Sequence, residues 1–123
     1  MHEFSIASSI VETLLEFTRK ERASAVLSVQ LAVGELTQVE AEQLTFCYDA
    51  IIKETPLEGS TLEIERIKAV VRCSGCSYAG PPQYWDAALC FVAVPTLKCP
   101  LCGETVNIIG GEECSIRKVK FIR

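Results

Sequence analysis

The N-terminal part of the chain carries a helical repeat of apolar residues. Between Phe4 and Lys20 these residues recur every three or four positions, at Ala7, Ile10, Val11, Leu14 and Leu15. The spacing predicts an amphipathic helix, because side chains three and four residues apart share a helix face.

The pattern then changes to the two-residue period of a strand. In the stretch SAVLSVQLAVGEL, the polar Ser28 and Gln30 lie on one face, and the other face holds Leu27, Val29, Leu31 and Val33. This alternation predicts a half-buried strand that ends at Gly34.

A second helix is predicted after that strand. Thr37 and Glu40 have the spacing of a capping box, in which Thr37 is the N-cap and Glu40 is the third helical residue. Apolar side chains then form one stripe, at Leu44, Cys47, Tyr48 and Ile51. We expect Thr55-Pro56 to end the helix, because the residue before a proline is driven out of helical space.

Two further strands are predicted. The stretch STLEIERIKAVVRC alternates in polarity, and its phase slips between Arg66 and Ile67, which predicts a bulge or bend. The last strand, ECSIRKVKFIR, is basic and amphipathic and follows Gly110-Gly111. Together these elements predict two helices packed on one face of a three-stranded sheet.

The segment between those two strands has a different composition. From about Cys73 to Ile109 it is rich in glycine and proline, and it holds the units Cys73-Ser74-Gly75-Cys76 and Cys99-Pro100-Leu101-Cys102. We therefore predict an α+β fold with an inserted zinc-ribbon module. Residues 1–70 and 111–123 form the α+β domain, and residues 71–110 form the module.

Paired Cys-x-x-Cys units are the ligand pattern of a zinc site. Zinc prefers four soft ligands in a tetrahedron, each sulfur about 2.3 Å from the ion. Gly75 and Gly103 permit the positive φ that such turns often require. The sequence thus predicts one structural Zn(II), with no open position for catalysis, held by Cys73, Cys76, Cys99 and Cys102. The other cysteines, Cys47, Cys90 and Cys114, are interpreted as buried free thiols.

Charge and hydropathy narrow the range of functions. The chain has 123 residues and a net charge of -4, which argues against nucleic-acid binding because that task needs clustered Lys and Arg. The first residues lack the long apolar run that is typical of a signal peptide, and no uncharged apolar run in the sequence reaches the ~20 residues that a membrane span needs. We therefore expect a cytoplasmic protein whose cysteines are reduced or bound to metal.

His2 is the one histidine of the chain. A histidine near a terminus is by default a solvated side chain, but this position allows specific chemistry. With a free α-amino group at Met1, that amine, the His2 backbone nitrogen and the His2 imidazole can close two fused chelate rings. The amide or carboxylate of Glu3 can add a fourth donor. Planar nitrogen donor sets suit Ni(II) or Cu(II) rather than Zn(II).

Four stretches together resemble the HypA/HybF family of hydrogenase nickel-incorporation proteins. They are MHEFSIASSIVETLLE, VGELTQVEAEQLTFCYDAI, CSGC…CPLCG and GGEECSIRKVKF. The resemblance implies a nickel-binding α+β domain with an inserted zinc ribbon, and a metallochaperone rather than an enzyme. Its transient cargo is Ni(II), delivered to the [NiFe]-hydrogenase large subunit with the GTPase HypB as partner. Some members also serve the urease accessory machinery.

The resemblance also implies roles for individual residues. His2 matches the family's nickel ligand, with Met1 and Glu3 beside it, and the zinc ligands match Cys73, Cys76, Cys99 and Cys102. One departure is the link PPQYWDAALCFVAVPTLK, which is longer and more apolar than the family pattern. Because of this link, we expect the zinc module to differ from the family pattern in its shape or in the surface that it presents to partners.

Two other functions stay open on the residues. One is a zinc-ribbon module that binds nucleic acid or protein without nickel, although the acidic net charge counts against nucleic acid. The second is a rubredoxin-like electron carrier, since four thiolates also hold iron. A hydrolase has little support, because the chain offers no second histidine and no base beside an open metal position.

Overall fold

The computed structural model describes the backbone of residues 2–84 and 95–123, and their side chains from residue 3 onward. The chain contains α1 (His2–Glu21), β1 (Ala25–Gly34), a 3₁₀ turn (Glu35–Thr37), α2 (Ala41–Ile51), β2 (Thr61–Ile67), β3 (Val70–Cys73), β4 (Ala79–Gly80), β5 (Val106–Gly110) and β6 (Cys114–Ile122). It divides into two compact units. The first unit comprises Met1–Ala32, Val39–Glu65 and Ser115–Arg123, and the second comprises Val33–Gln38 and Arg66–Cys114.

The main sheet has three strands, in the order β2-β1-β6. With the two helices it forms the predicted α+β fold, which is confirmed. Both helices and two of the strands contribute to the buried apolar core, which includes Ala7, Ile10, Val11, Leu14, Val26, Val29, Leu31, Leu44, Tyr48 and Leu62. Removal of this apolar surface from water is the dominant force that holds helices and sheet together.

Helix α1 confirms its prediction from periodicity. It begins at His2 and ends at Glu21, with Glu3 in its first turn and basic residues in its last. Near its end, the ring of Phe17 meets the ring of Phe121 from β6 edge to face, with 5.1 Å between ring centroids. This aromatic contact fixes the end of the helix on the C-terminal strand.

The predicted face of β1 is wrong at one residue. Val29, Leu31 and Val33 are buried as expected, but Leu27 is 51% exposed and its neighbour Val26 is buried. The alternation therefore changes phase near the start of the strand. There the Val26 N–H donates to the carbonyl of Pro56 at 3.1 Å.

The predicted N-cap of the second helix is also wrong. Thr37 lies in the 3₁₀ turn, and its hydroxyl donates backwards to the Gly34 carbonyl at 2.8 Å. Gln38 then adopts a left-handed conformation with φ of 61°, which interrupts any helix that starts at Thr37. Helix α2 begins instead at Ala41, with Glu40 as an extended N-cap residue.

The end of α2 comes earlier than the proline predicts. The helix ends at Ile51, and Glu54 takes a left-handed φ of 65°. The Thr55 hydroxyl donates to the Ile52 carbonyl at 2.6 Å. Thr55-Pro56 thus belongs to the turn that follows the helix.

The long strand predicted from residue 60 to residue 73 is in fact two strands. β2 ends at Ile67 and β3 begins at Val70, so the expected slip between Arg66 and Ile67 becomes a full break one residue later. β3 lies in a second sheet, in the order β4-β3-β5. It pairs antiparallel with β5, where Cys73 lies opposite Val106.

Candidate metal centre

Two turns of the second unit bring four cysteines together. Cys73 is the last residue of β3, Cys76 follows in the next turn, and the turn before β5 carries Cys99 and Cys102. Their sulfur atoms all lie within 4.8 Å of one another. The shortest separations are 3.5 Å, between Cys73 and Cys102 and between Cys76 and Cys99.

These separations fit a tetrahedral metal ion. Four sulfurs about 2.3 Å from one zinc ion stand about 3.8 Å from each other. The observed range of 3.5 to 4.8 Å brackets that value. The chemistry agrees, since four thiolates are a typical ligand set of structural zinc.

The two Cys-x-x-Cys turns have the same hydrogen-bonding pattern. The Gly75 N–H donates to the Cys73 sulfur at 3.3 Å, and the Leu101 N–H donates to the Cys99 sulfur at 3.4 Å. In each turn, the backbone N–H of the first cysteine also donates to the carbonyl five residues later. Each chain segment thus orients its own pair of sulfurs before the two segments meet.

The backbone geometry corrects one predicted glycine role. Positive φ occurs at Gly103, as expected, and at Ser77 with a φ of 65°. Both residues directly follow the second cysteine of their turn. Gly75 is not among the positive-φ residues, so its turn does not use the conformational freedom that this glycine permits. A Cβ at Gly75 would instead lie 3.3 Å from the Glu104 Cγ atom.

The first cysteine of each turn is buried and the second is exposed. Cys73 and Cys99 are 2% and 3% exposed and form a small apolar cluster with Val71 and Val106. Among the described residues this core is small, with Tyr78 and Ile108 as partly buried neighbours. Metal binding is a source of folding free energy for such a module.

The thiols of the cluster differ in pKa because they lie close to one another and to backbone N–H groups. Burial opposes ionisation of Cys99, but the N–H groups of Cys102 and Leu101 favour its thiolate, and its pKa falls from 9.0 to about 6. At Cys76 the Tyr78 N–H favours the thiolate, yet the Cys99 sulfur and burial raise the pKa to about 12. Adjacent thiolates repel one another, so a bound cation is needed to keep all four deprotonated.

Two of the residues predicted to bind nickel, His2 and Glu3, lie at the start of α1. The first four N–H groups of a helix have no acceptor within it, and α1 begins at His2. The Glu40 N–H donates to Glu3 Oε2 at 3.0 Å. This bond is the largest of the causes that lower the pKa of Glu3 from 4.5 to about 2. Met1 and the side chain of His2 lie outside the described part of the chain.

Sequence reasoning missed the partner of Glu3. The capping-box pattern assigns a role to the side chain of Glu40 in its own helix, whereas the backbone N–H of Glu40 makes the contact with Glu3. The two residues are 37 positions apart, and no local pattern links a carboxylate to a backbone group at that separation.

The cysteines outside the cluster differ in exposure. Cys47 is half-buried on α2, and Cys114 is exposed at the start of β6. The prediction of a buried thiol is therefore wrong for Cys114. Cys90 lies outside the described residues.

Fold and site define a small α+β protein with a four-thiol module whose sulfur atoms are spaced to hold one metal ion. The profile of a family described as "HypA: Hydrogenase/urease nickel incorporation, metallochaperone, hypA" matches residues 1–121. The chain belongs to this family. Across the described ranges, helices of the length and apolar content that a membrane crossing requires are absent.

Relatives of known name match over nearly the whole chain. The hydrogenase maturation factor HypA of Methanopyrus kandleri is 38% identical over 134 aligned positions, covering 98% of this chain and 93% of its own. That of Chlorobaculum parvum is 38% identical over 120 positions, covering 97% of each chain.

Two solved structures share the fold. A solution structure of a HypA protein has a TM-score of 0.69 at 22% identity and covers 99% of this chain and 97% of its own. The solution structure of the Ni metallochaperone HypA from Helicobacter pylori has a TM-score of 0.65 at 20% identity, covering 98% and 97%.

Proposed function

We propose that this protein binds Ni(II) at its first three residues and delivers it to the [NiFe]-hydrogenase large subunit during hydrogenase maturation. The observation that carries the proposal is the family match over residues 1–121. The names of the relatives, which are hydrogenase maturation factors, point the same way. In this view the nickel ion is cargo, and the protein binds and releases it without catalysis.

The nickel donors are proposed to be His2 with the backbone of Met1 and Glu3. In a chain with a free amino group at Met1, that amine, the His2 backbone nitrogen and the imidazole form a planar set suited to Ni(II). The start of α1 at His2 supports this geometry, because the His2 N–H has no acceptor within the helix. The nitrogen is free to lose its proton to a metal.

The surroundings of this site favour a loosely held ion. The positive end of the α1 dipole opposes a cation, whereas the negative charge of the Glu3 carboxylate attracts one. The Glu40 N–H holds that carboxylate at 3.0 Å. We propose that Glu3 places a compensating charge beside the nickel ion, and that a receiving protein replaces the few donors one at a time.

The four clustered cysteines are proposed to hold one structural Zn(II). Their separations, all within 4.8 Å, suit a tetrahedral ion, and four protein ligands leave no open position for a substrate. The functional division follows the sequence prediction, with nickel bound by residues 1–70 and 111–123 and zinc bound by residues 71–110. The urease accessory machinery is proposed as a further partner, in keeping with the words "Hydrogenase/urease nickel incorporation" in the family description. The GTPase HypB is proposed as a partner on the sequence resemblance alone.

Isothermal titration of the zinc-loaded, untagged protein with Ni(II) tests the nickel site. We expect saturable binding by the wild type, none by His2→Ala, and weakened binding after acetylation of the α-amino group. Ser5→Ala, on the same helix, is the matched control and should retain wild-type affinity. Unchanged nickel affinity in His2→Ala contradicts the assignment.

A further inference from the structure

The outer strand of the main sheet borders an open, largely apolar groove. The groove has a volume of about 350 Å³ and is lined by Ala41, Glu42, Thr45, Leu62 and Ile64. The first three residues belong to α2 and the last two to β2. All five lie in the first compact unit.

β2 offers an open backbone edge beside this groove. It stands at the end of the strand order β2-β1-β6, so in the described part of the chain one of its edges has no neighbouring strand. Unpaired N–H and C=O groups along such an edge can bind an added strand. The edge supplies backbone hydrogen bonds, and the groove supplies space for side chains.

The two faces of β2 differ in chemistry. Leu62 and Ile64 line the groove, whereas Glu63 and Glu65 are exposed. Alternate residues of a strand point to opposite faces, so the glutamates lie on the face away from the groove. Along residues 62–65, a strand added beside β2 meets apolar side chains on one face and carboxylates on the other.

We propose that this edge and groove bind an extended segment of a partner protein in which apolar residues alternate with basic residues. The apolar side chains enter the groove beside Leu62 and Ile64, and the basic ones lie next to Glu63 and Glu65. Opposite charges at neighbouring cross-strand positions attract, and like charges repel.

β6, the outer strand on the opposite side of the main sheet, is unfavourable for the binding of this partner. β6 carries Arg117, Lys118 and Lys120, so its charges repel a basic segment. The two edges of one sheet therefore have opposite charge preferences, and β6 serves as an internal control for β2.

The groove also begins next to the N-terminal site. Ala41 lines the groove and directly follows Glu40, whose N–H contacts Glu3. A segment docked on β2 thus lies beside the helix start that Glu3 contacts. Its use in nickel delivery rests on the proposed function, whereas the docking itself requires no nickel.

A titration followed by ¹H–¹⁵N spectra tests the inference. The zinc-loaded full chain, without nickel, is titrated with an alternating valine–lysine octapeptide and, separately, with a valine–glutamate octapeptide. We expect saturable shifts at the amides of β2 and of the first turn of α2 with the lysine peptide and none with the glutamate peptide. Glu63→Lys combined with Glu65→Lys should weaken the lysine peptide about tenfold and create binding of the glutamate peptide.

Two further variants test the binding position independently, one on β6 and one in the groove. Lys118→Glu combined with Lys120→Glu, on β6, should leave the affinity for the lysine peptide unchanged. Thr45→Arg places a long cationic side chain in the groove and should abolish binding even if the Glu63 and Glu65 variant does not fold. Shifts confined to β6, equal binding of both peptides, or no saturable shift overturns the proposal. None of these outcomes bears on nickel, so the docking inference and the proposed function fail separately.

Discussion

The Glu40 backbone N–H donates to Glu3 Oε2 at 3.0 Å and joins the first turn of α1 to the residue before α2. A carboxylate at a helix N-terminus is favourable for both helices, because it faces the positive ends of their dipoles. The same contact holds a charged side chain beside His2, where the nickel cargo is proposed to bind. The residues that begin the chain therefore contribute to the fold as well as to the proposed site.

This contact predicts an acid-dependent part of the stability. The folded-state pKa of Glu3 is about 2, below its ordinary value of 4.5. Glu3 therefore stabilises the fold above pH 4.5, and this stabilisation is lost as the pH falls from 4.5 towards 2. The neutral variant Glu3→Gln should show a shallower fall of the thermal unfolding midpoint across that interval.

The matched control for Glu3→Gln is Glu12→Gln, an exposed position on the same helix. Its midpoint should follow the wild-type pH dependence. A Glu3→Gln variant with wild-type acid sensitivity contradicts the stabilising role of the Glu3–Glu40 bond.

Loss of one clustered thiol should release the metal of the second unit. Cys73→Ser replaces a sulfur that lies within 4.8 Å of three others, and three remaining thiolates hold zinc far more weakly. We expect substoichiometric zinc by elemental analysis and loss of dispersed amide signals from β3 to β5. Cys114→Ser, which replaces an exposed thiol outside the cluster, should keep full zinc. Full zinc in Cys73→Ser is the contrary result.

A close backbone approach makes Gly34 sensitive to substitution. A Cβ atom at Gly34 would lie 2.1 Å from the Gly111 carbonyl oxygen, a backbone atom that cannot move aside alone. Gly34→Ala should lower the free energy of unfolding by about 3 kcal/mol, measured by urea titration. Gly59 has a φ of 87°, and a Cβ atom at this position would meet no other atom within 4 Å, so Gly59→Ala should cost only about 1 kcal/mol. Equal costs at the two glycines contradict the steric argument.

The hydroxyls of Tyr48 and Ser60 form a buried pair at 2.7 Å. Tyr48→Phe leaves the Ser60 hydroxyl without this partner and should destabilise the protein by about 1–3 kcal/mol. Ser60→Ala should do the same to Tyr48. The double variant should cost less than the sum of the two single costs, because it leaves neither group unpaired. Additive costs in a denaturation cycle of the four proteins contradict a shared hydrogen bond.

Local periodicity predicted the elements whose apolar residues repeat regularly along the sequence. The 3.6-residue stripe predicted α1, and the two-residue alternation predicted β1 and β6. The start of α2 was not predictable in this way, since the left-handed Gln38 redirects the chain after a sequence that fits a capping box. Likewise, the break between β2 and β3 separates two different sheets, a long-range property that a continuous alternating pattern does not encode.

The cysteine cluster could be predicted because the two-residue spacing within each Cys-x-x-Cys unit is enough to direct both of its sulfur atoms to one ion. The sequence did not show which of the four are buried. Burial of Cys73 and Cys99 depends on the β3–β5 pairing, which places Cys73 opposite Val106. The Glu3–Glu40 bond likewise needed the packed arrangement of α1 and α2, because neither residue type nor spacing indicates it.

Metal analysis of the untagged protein and of His2→Ala, after nickel loading and desalting, tests the central claim of two separate sites most directly. We expect one nickel and one zinc per chain in the wild type, and zinc alone in the variant. Nickel retained by His2→Ala, or a fully zinc-loaded wild type that takes up no nickel, contradicts that claim.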